Sequence, residues 1–189
     1  MFSSLSLFAL ECVNTPELEL LSIKEQSDLM TQILTDDNLY DLDSAHKKAK
    51  DGKKYLLVMV SANWCVPCKM LKASLFPNTK FPHMLSDLNL SFGIAKPLDR
   101  TGRKEYKKAT LLDLEYKKLV SSFPSFLLIN KDSIEKLEKG LSLVKGKDYI
   151  RIWGSSFVDN SGQFRSEKYD KSERVPMDIE IKRAIAKFK

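Results

Sequence analysis

The sequence predicts an α/β fold in which a central mixed β-sheet is flanked by helices. An unbroken apolar run of strand length at 55–60 predicts a strand that is covered on both faces, and the run at 123–130, which opens with a proline, predicts another buried strand. Segments with helical spacing of apolar residues alternate with these runs, and the 189-residue chain contains no internal repeat. Such alternation is typical of a layered α/β domain, and this length accommodates one well-buried core.

The first helices are predicted ahead of the first strand. Apolar residues recur at helical spacing within 29–34, in a leucine-rich acidic stretch that runs from 14 to 37. A second helix is expected at 41–50, with Leu42, Ala45 and Ala49 on one face and Gly52 as its C-terminal stop. The strand at 55–60 follows, and a helix-forming segment at 69–75 comes soon after it.

The second half of the chain predicts three more strands and two more helices. The strands are expected at 88–95, at 123–130 and, as an alternating edge strand, at 149–153. Residues 99–121 are expected to be mostly helical, 160–173 to be a loop, and 177–189 to be a closing helix. The side chains expected to be buried on these two helices are Leu111, Leu112, Leu114 and Leu119 on the first, and Ile179, Ile181, Ile185 and Phe188 on the second.

The N-terminal region is expected to lie outside the main domain. Residues 1–36 are interpreted as a leader or extension, and residues 37–189 as one domain that includes the C-terminal helix. The apolar stretch at 1–12 resembles the end of a signal peptide, but no Lys or Arg precedes Lys24, and Glu11 interrupts the small-residue cleavage pattern. A weak or truncated signal peptide is favoured over an apolar tail.

The charge pattern argues against nucleic-acid and membrane partners. The chain carries 31 Lys plus Arg against 25 Asp plus Glu, for a net charge of +6. The densest basic run, 47–54, falls on a predicted solvated helix face and is not interleaved with aromatic residues, as a nucleic-acid site would require. No apolar run approaches the roughly 18 residues needed to span a bilayer, so stable membrane insertion is not expected.

Two of the three cysteines form a Cys-x-x-Cys pair at a predicted strand-to-helix junction. Cys65 falls at the helix start, where free N–H groups and the helix dipole stabilise negative charge, so the pKa of its thiol is expected to lie below its ordinary value. Cys68 follows one helical turn later. We therefore predict Cys65 as an exposed nucleophile and Cys68 as the buried thiol that resolves the mixed disulfide.

Neighbouring residues influence the redox balance of the pair in opposite directions. Pro67 is tolerated in a first helical turn and brings no N–H donor near the sulfurs, which favours a reducing pair. Lys69 and Lys72 add positive charge, which favours the thiolate. The sequence leaves the net direction open.

Two other uses of a Cys-x-x-Cys pair fit the sequence poorly. A closed zinc site needs four ligands, and only Cys12, His46 and His83 are available to complete one, at spacings unlike those of zinc knuckles. Covalent haem attachment requires His after the second cysteine, where Lys69 stands. The two histidines are expected to be surface residues without chemistry, and Cys12 to have no catalytic part.

Trp64-Cys65-Val66-Pro67-Cys68-Lys69-Met70 resembles the active-site signature of the thioredoxin superfamily. The Val66-Pro67 dipeptide is similar to that of periplasmic thioredoxin-like reductases, and residues 43–60 are similar to the helix-then-strand lead-in of secreted or periplasmic members. Phe123-Pro124-Ser125-Phe126 resembles the family's cis-proline loop. The resemblance covers about residues 41–130 and implies a thioredoxin-like fold with N- and C-terminal extensions.

The resemblance also implies which residues contact substrate. Cys65 and Cys68 would be catalytic, and Lys69 would support them. The cis-proline loop of this family faces the redox pair and hydrogen-bonds the substrate backbone. The residues implied to bind substrate are Trp64, Val66, Pro67, Phe123 and Pro124.

Three departures from the family pattern affect this interpretation. The family's buried acid, six residues before the nucleophile, is replaced by Met59, which is interpreted as core packing. Pro124 lies 56 residues after Cys68, a longer spacing than in a compact thioredoxin. Phe123 is bulkier than the residue usually found before this proline, so substrate choice is expected to differ.

The sequence therefore predicts a protein-disulfide reductase or isomerase. It is expected to need no bound cofactor and to receive electrons from a partner thiol reductase. A redox-inactive binding module, suggested by Met59, and a thiol oxidase-type donor are the alternatives. A periplasmic or secreted location is favoured over a cytoplasmic one.

Overall fold

The computed structural model describes residues 40–62, 64–76, 80–97, 109–153 and 177–188. Its helices are α1 (Leu42–Asp51), α2 (Val66–Leu75), α3 (Lys80–Asp87), α4 (Leu111–Lys118), α5 (Ile134–Glu138) and α6 (Met177–Ile185), and its strands are β1 (Tyr55–Val60), β2 (Leu90–Ala95), β3 (Ser125–Ile129) and β4 (Tyr149–Trp153). A 3₁₀ turn at Lys131–Ser133 precedes α5. The expectations for the N-terminal leader, the helix within 29–34, Cys12 and the loop at 160–173 concern residues outside these ranges.

The four strands form one mixed sheet in the order β2-β1-β3-β4. β1 runs parallel to β2 and antiparallel to β3, and β4 pairs antiparallel with β3 at the sheet edge. Strands β1, β2 and β3 are almost wholly buried, which explains why most of their residues are apolar. The predicted central strands and the predicted edge strand are confirmed.

Apolar side chains fill both faces of this sheet. One cluster joins α2, α3 and α6 to the face that carries Leu57, Met59 and Phe126. The other cluster joins α1, α4 and α5 to the face that carries Val58, Leu127 and Ile129. The described part of the chain is therefore a helix–sheet–helix sandwich, which confirms the predicted α/β class. No helix among the described residues is both long and apolar enough to cross a membrane.

Helix α1 packs unusually close to β2. It starts at Asp41, whose carboxylate accepts the Ser44 N–H at 2.7 Å, and it ends at Gly52, as predicted. Its buried face contains the predicted Leu42, Ala45 and Ala49. Gly93 of β2 lies directly beneath it, where a Cβ atom would stand only 2.8 Å from the Ala45 Cβ. The absence of a side chain at Gly93 thus allows the helix to lie against the sheet.

Helix α4 differs from its prediction in length and in its buried face. Residues 111–118 are helical, whereas 98–108 fall outside the described residues. The buried side chains are Asp113 and Tyr116, and Leu111 is 83% exposed. The expected burial of Leu111 is therefore wrong, and the other three leucines are only partly buried: Leu112, Leu114 and Leu119.

Hydrogen bonds explain why α4 turns this face inward. Asp113 forms a capping box with Thr110, and its other carboxylate oxygen accepts the N–H of Lys96, just beyond β2, at 2.8 Å. Tyr116 shares a hydrogen bond with His46 of α1. These polar contacts fix the rotation of α4 about its axis, and a pattern based on apolar spacing does not detect them.

The buried side chains of α6 are partly those predicted, whereas helix α3 was not predicted at all. Ile181 is buried, and Ile185 and Phe188 pack against the cluster as partly buried residues. Ile179, which was expected to be buried, is only partly buried, whereas Met177 is fully buried. The sequence pattern predicts no element at 80–87, where α3 buries Phe81 and Met84.

Candidate redox site

The Cys-x-x-Cys pair lies where β1 leads into α2. Cys65 is the N-cap residue of α2, with an extended backbone (φ −77°, ψ 103°), and the chain becomes helical at Val66. The Cys65 Sγ atom accepts the backbone N–H of Cys68 at a distance of 3.2 Å. Pro67 occupies the first turn, where its missing N–H leaves no helical hydrogen bond unmade. The sulfur thus occupies the position that a capping oxygen usually takes.

Cys65 and Cys68 are joined by a disulfide bond, with their Cα atoms 5.2 Å apart. Both side chains belong to the apolar cluster beneath α2. Cys68 is completely buried, as expected, but Cys65 is only 4% exposed. The prediction of an exposed Cys65 is therefore wrong in degree, because this residue packs into the cluster rather than projecting from it. Of the two residues, Cys65 is still the one that retains accessible surface.

The loop ahead of β3 lies beside the end of β1. Val60 pairs with Ser125 in the antiparallel register, so Pro124 lies next to the point where the chain leaves β1 toward Cys65. The Phe123–Pro124 peptide bond is cis, as the sequence resemblance implies. The Phe123 ring lies edge-on to the Trp64 ring, with the centroids 6.0 Å apart. The fold therefore brings the two predicted segments, 64–68 and 123–124, together.

Exposed apolar side chains surround the pair. Trp64 is 40% and Val66 is 57% exposed, and Pro67 and Lys69 are also exposed. Met70 lies one helical turn after Val66 and is exposed as well, so the two side chains extend one apolar stripe along α2. The sequence reasoning did not assign a role to Met70, although its four-residue spacing from Val66 was available as a signal.

Met59 is fully buried between apolar neighbours. Its partners in the sheet register are Ile94 of β2 and Phe126 of β3, which confirms that it is core packing. The buried carboxylates of the described residues are Asp113 and Asp148, and both are engaged elsewhere. Asp113 binds the backbone of Lys96 and of Thr110, as described above.

Asp148 is held in the turn before β4. It accepts hydrogen bonds from Ser133, Lys136 and the Val144 N–H. Burial alone would raise the pKa of Asp148, but these hydrogen bonds lower it to about 2. The carboxylate is therefore a structural anchor, and it does not substitute for the acid missing at Met59.

The two histidines, and the two lysines of α2, differ in their exposure. His83 is exposed, as expected, whereas His46 is buried against Tyr116, so its predicted surface position is wrong. Lys69 is exposed and Lys72 is largely buried on α2. Among residues in the described ranges, no group of three or more His, Cys, Asp or Glu side chains is placed to hold a metal ion.

The sequence profile of the thioredoxin-like domain family matches residues 42–142, which is more than half of the chain. The chain belongs to the thioredoxin-like family. The matched segment of this thioredoxin-like chain runs from the start of α1 to just beyond α5 and includes the disulfide and the cis-proline loop. A search of curated proteins finds no significant match.

Among solved structures, the thioredoxin-like chain is similar to a disulphide isomerase from Xylella fastidiosa Temecula1. The sequence identity is 21%, and the alignment covers 51% of this chain and 68% of that one, with a TM-score of 0.35. Neither the identity nor the TM-score is high enough to transfer an activity from that protein to this chain.

Proposed function

We propose that this protein is a thiol–disulfide oxidoreductase that reduces or isomerises disulfides in protein substrates. The observation that carries the proposal is the position of Cys65 as the cap of α2, with the Cys68 N–H directed at its sulfur at 3.2 Å. When the disulfide is reduced, the same N–H and the helix dipole stabilise a thiolate on Cys65. A thiolate is the form of cysteine that attacks a disulfide.

In the reducing direction, the Cys65 thiolate attacks one sulfur of the substrate disulfide. The new bond joins Cys65 to the substrate, and the other substrate sulfur leaves with the electron pair and takes up a proton. Cys68 then loses its proton and attacks the Cys65 sulfur, so that the second substrate thiol is released. Two electrons and two protons reach the substrate, and the Cys65–Cys68 disulfide remains. Isomerisation uses the same first step without net transfer of electrons.

The residues around the pair supply a binding surface for the substrate chain. Phe123 and Pro124 would lie along the substrate backbone, while Trp64, Val66 and Pro67 would contact its side chains. All five lie at the end of the sheet where β1 leads into Cys65. Lys69 lies exposed beside the pair and contributes positive charge.

The cellular setting belongs to the same proposal. The disulfide must be reduced again after each turnover, and a partner thiol reductase would supply those electrons, with no bound cofactor. The Val66-Pro67 dipeptide and the apolar stretch at 1–12, if it is a signal peptide, favour a periplasmic or secreted location, with a cytoplasmic one as the alternative. N-terminal sequencing of the native protein would show whether residues 1–12 are removed as a signal peptide or retained as an apolar tail.

Insulin reduction and redox titration test this proposal. The wild-type protein should accelerate reduction of insulin by dithiothreitol, and Cys65→Ser should abolish that acceleration. Cys68→Ser should instead trap a mixed disulfide with the substrate through Cys65. Titration against glutathione gives the reduction potential, and a value well above that of thioredoxin would indicate an oxidase-type donor.

If the protein is instead a redox-inactive binding module, the opposite result is expected in the insulin assay. Met59 leaves the pair without the family's buried acid, and a binding module would need no such group. In that case Cys65→Ser would still bind partner proteins as tightly as the wild-type protein, and neither form would accelerate insulin reduction. An unchanged insulin rate in Cys65→Ser would contradict the enzymatic proposal.

A further inference from the structure

An arginine on the edge strand reaches the loop that carries Pro124. Arg151 lies in β4, opposite Leu127 of β3. Its Nη1 atom donates to the Ser121 hydroxyl at 2.9 Å. Its Nη2 atom donates to the hydroxyls of Ser122 at 2.9 Å and Ser125 at 3.2 Å. One guanidinium therefore contacts three serines within five consecutive residues.

These serines bracket the Phe123-Pro124 dipeptide. Ser122 precedes it and Ser125 follows it, so the guanidinium connects the two ends of the loop. The Ser125 hydroxyl also donates to the Ser122 backbone oxygen at 2.8 Å, so a second contact joins the two ends of the loop. Ser125 is fully buried in β3, so the rigid sheet defines the position of this connection.

The connection extends to the redox pair through aromatic packing. Phe123 emerges from the bracketed loop and places its ring edge-on to Trp64, which immediately precedes Cys65. A shift of the loop would therefore move both the backbone beside Pro124 and the exposed Trp64 surface. The Cys65–Cys68 bond itself is held separately, by α2 and the apolar cluster.

We propose that Arg151 is a positioning residue that holds the cis-proline loop in place to receive the backbone of a protein substrate. This inference rests on the proposed thiol–disulfide exchange and deepens it. Arg151 acts on substrate binding through Ser122 and Ser125, and it leaves the chemistry of the sulfur atoms unchanged. Small thiols have no peptide backbone to bind along the loop, so their exchange with the Cys65–Cys68 pair does not depend on Arg151.

The planar guanidinium is suited to this task. Its N–H donors point in fixed directions in one plane, so Nη2 reaches hydroxyls on both sides of the loop while Nη1 binds Ser121. A lysine ammonium keeps the charge, but as a point donor it cannot reproduce the fork. Charge and geometry are therefore separable by substitution.

Kinetics with two kinds of substrate test this inference. Arg151→Met should raise the KM for insulin between about tenfold and a hundredfold, because a loop displaced by about 1 Å misplaces the substrate backbone. The equilibrium constant for exchange with glutathione should change less than twofold. Arg151→Lys should restore the KM only in part. Arg183→Met, which removes an exposed arginine on α6, is the matched control and should change neither quantity.

A spectroscopic readout follows the loop directly. In a Trp153→Phe background, Arg151→Met should alter the emission of Trp64, because Phe123 no longer holds its place against that ring. Ser122→Ala removes one acceptor with little risk to folding and should shift both the emission and the KM in the same direction, by a smaller amount.

Several results would overturn the inference. One is an unchanged KM in both Arg151→Met and Ser122→Ala, and another is full recovery of the KM in Arg151→Lys. If Arg151→Met changed the equilibrium constant with glutathione as strongly as the KM for insulin, the damage would extend to the redox pair itself, which would also contradict the inference. A wild-type protein that exchanges with neither substrate would overturn the proposed function itself, and this inference with it.

Discussion

The Nε2 atom of His46 and the phenol hydroxyl of Tyr116 share a hydrogen bond between helices α1 and α4. Both residues are buried, and the Nδ1 atom of His46 has no hydrogen-bond partner within the described part of the chain. A protonated imidazole needs acceptors for two N–H groups, and only one ring nitrogen is served here. The neutral imidazole is therefore the form that fits this site.

This pair predicts a loss of stability in mild acid. Burial lowers the pKa of His46 from 6.5 to about 4, and Lys50 adds to this effect while Glu138 opposes it. Between pH 6.5 and pH 4 the unfolded chain binds a proton that the folded protein does not. The free energy of unfolding should therefore fall as the pH falls through this range, by about 3 kcal/mol in total.

Denaturant unfolding at several pH values measures this effect. His46→Gln keeps a hydrogen-bonding side chain at the position but does not titrate, so the wild-type curve minus the variant curve isolates the histidine. Parallel curves between pH 6.5 and pH 4 would contradict the expectation.

Gly93→Ala should destabilise the protein by about 1 to 3 kcal/mol, because the new methyl group overpacks the contact between β2 and α1. Its Cβ atom would stand 2.8 Å from the Ala45 Cβ and 3.2 Å from the Leu42 Cα. Thermal or denaturant unfolding measures the change. Ala45→Gly in the same chain should recover part of the loss, and simple addition of the two single effects would show that this contact is not the cause.

Met59→Asp should lower the free energy of unfolding and speed up resolution of the mixed disulfide. The site is fully buried and apolar, so a carboxylate there would lower the free energy of unfolding by several kcal/mol. The restored acid should help Cys68 to lose its proton, and single-turnover release of substrate from Cys65 measures that step. Met59→Leu is the control and should change neither quantity strongly. An unchanged release rate in Met59→Asp would show that the acid does not limit this step.

Trp64→Ala should weaken substrate binding more than it weakens folding. The side chain is 40% exposed and packs on Phe123, so its truncation removes surface beside Cys65 without opening the core. The KM for insulin should rise, with a change in the free energy of unfolding of at most about 1 kcal/mol. Leu111→Ala, which removes an exposed apolar side chain from α4, should affect neither. If Leu111→Ala raised the KM for insulin as much as Trp64→Ala does, the effect would not be specific to Trp64, and Trp64 would not belong to the binding surface.

The sequence predicted the strands and the redox pair well because one physical signal dominates each. The continuous apolar run at 55–60 predicts β1 and the mostly apolar run at 123–130 predicts β3, since both faces of these strands are covered. Cys65 and Cys68 were placed at a helix start by the break between such a run and a helix-forming segment. The cis bond before Pro124 came from the family resemblance alone.

The features that the sequence did not predict depend on polar contacts between distant segments. The orientation of α4 is determined by Asp113, which binds the backbone at Lys96, and by Tyr116, which meets His46 from a separate helix. The contact between Arg151 and Ser122 joins an edge strand to a loop about thirty residues earlier. Periodicity describes only local burial, so it contains no information about such pairings.

The unequal burial of Cys65 and Cys68 restricts the order of events at this disulfide. Because Cys68 has no accessible surface, the proposed function requires that an electron donor and a disulfide-bearing client both approach through Cys65. They therefore compete for the same entrance and cannot be bound there together. Turnover should follow ping-pong kinetics, in which an excess of either participant inhibits the other.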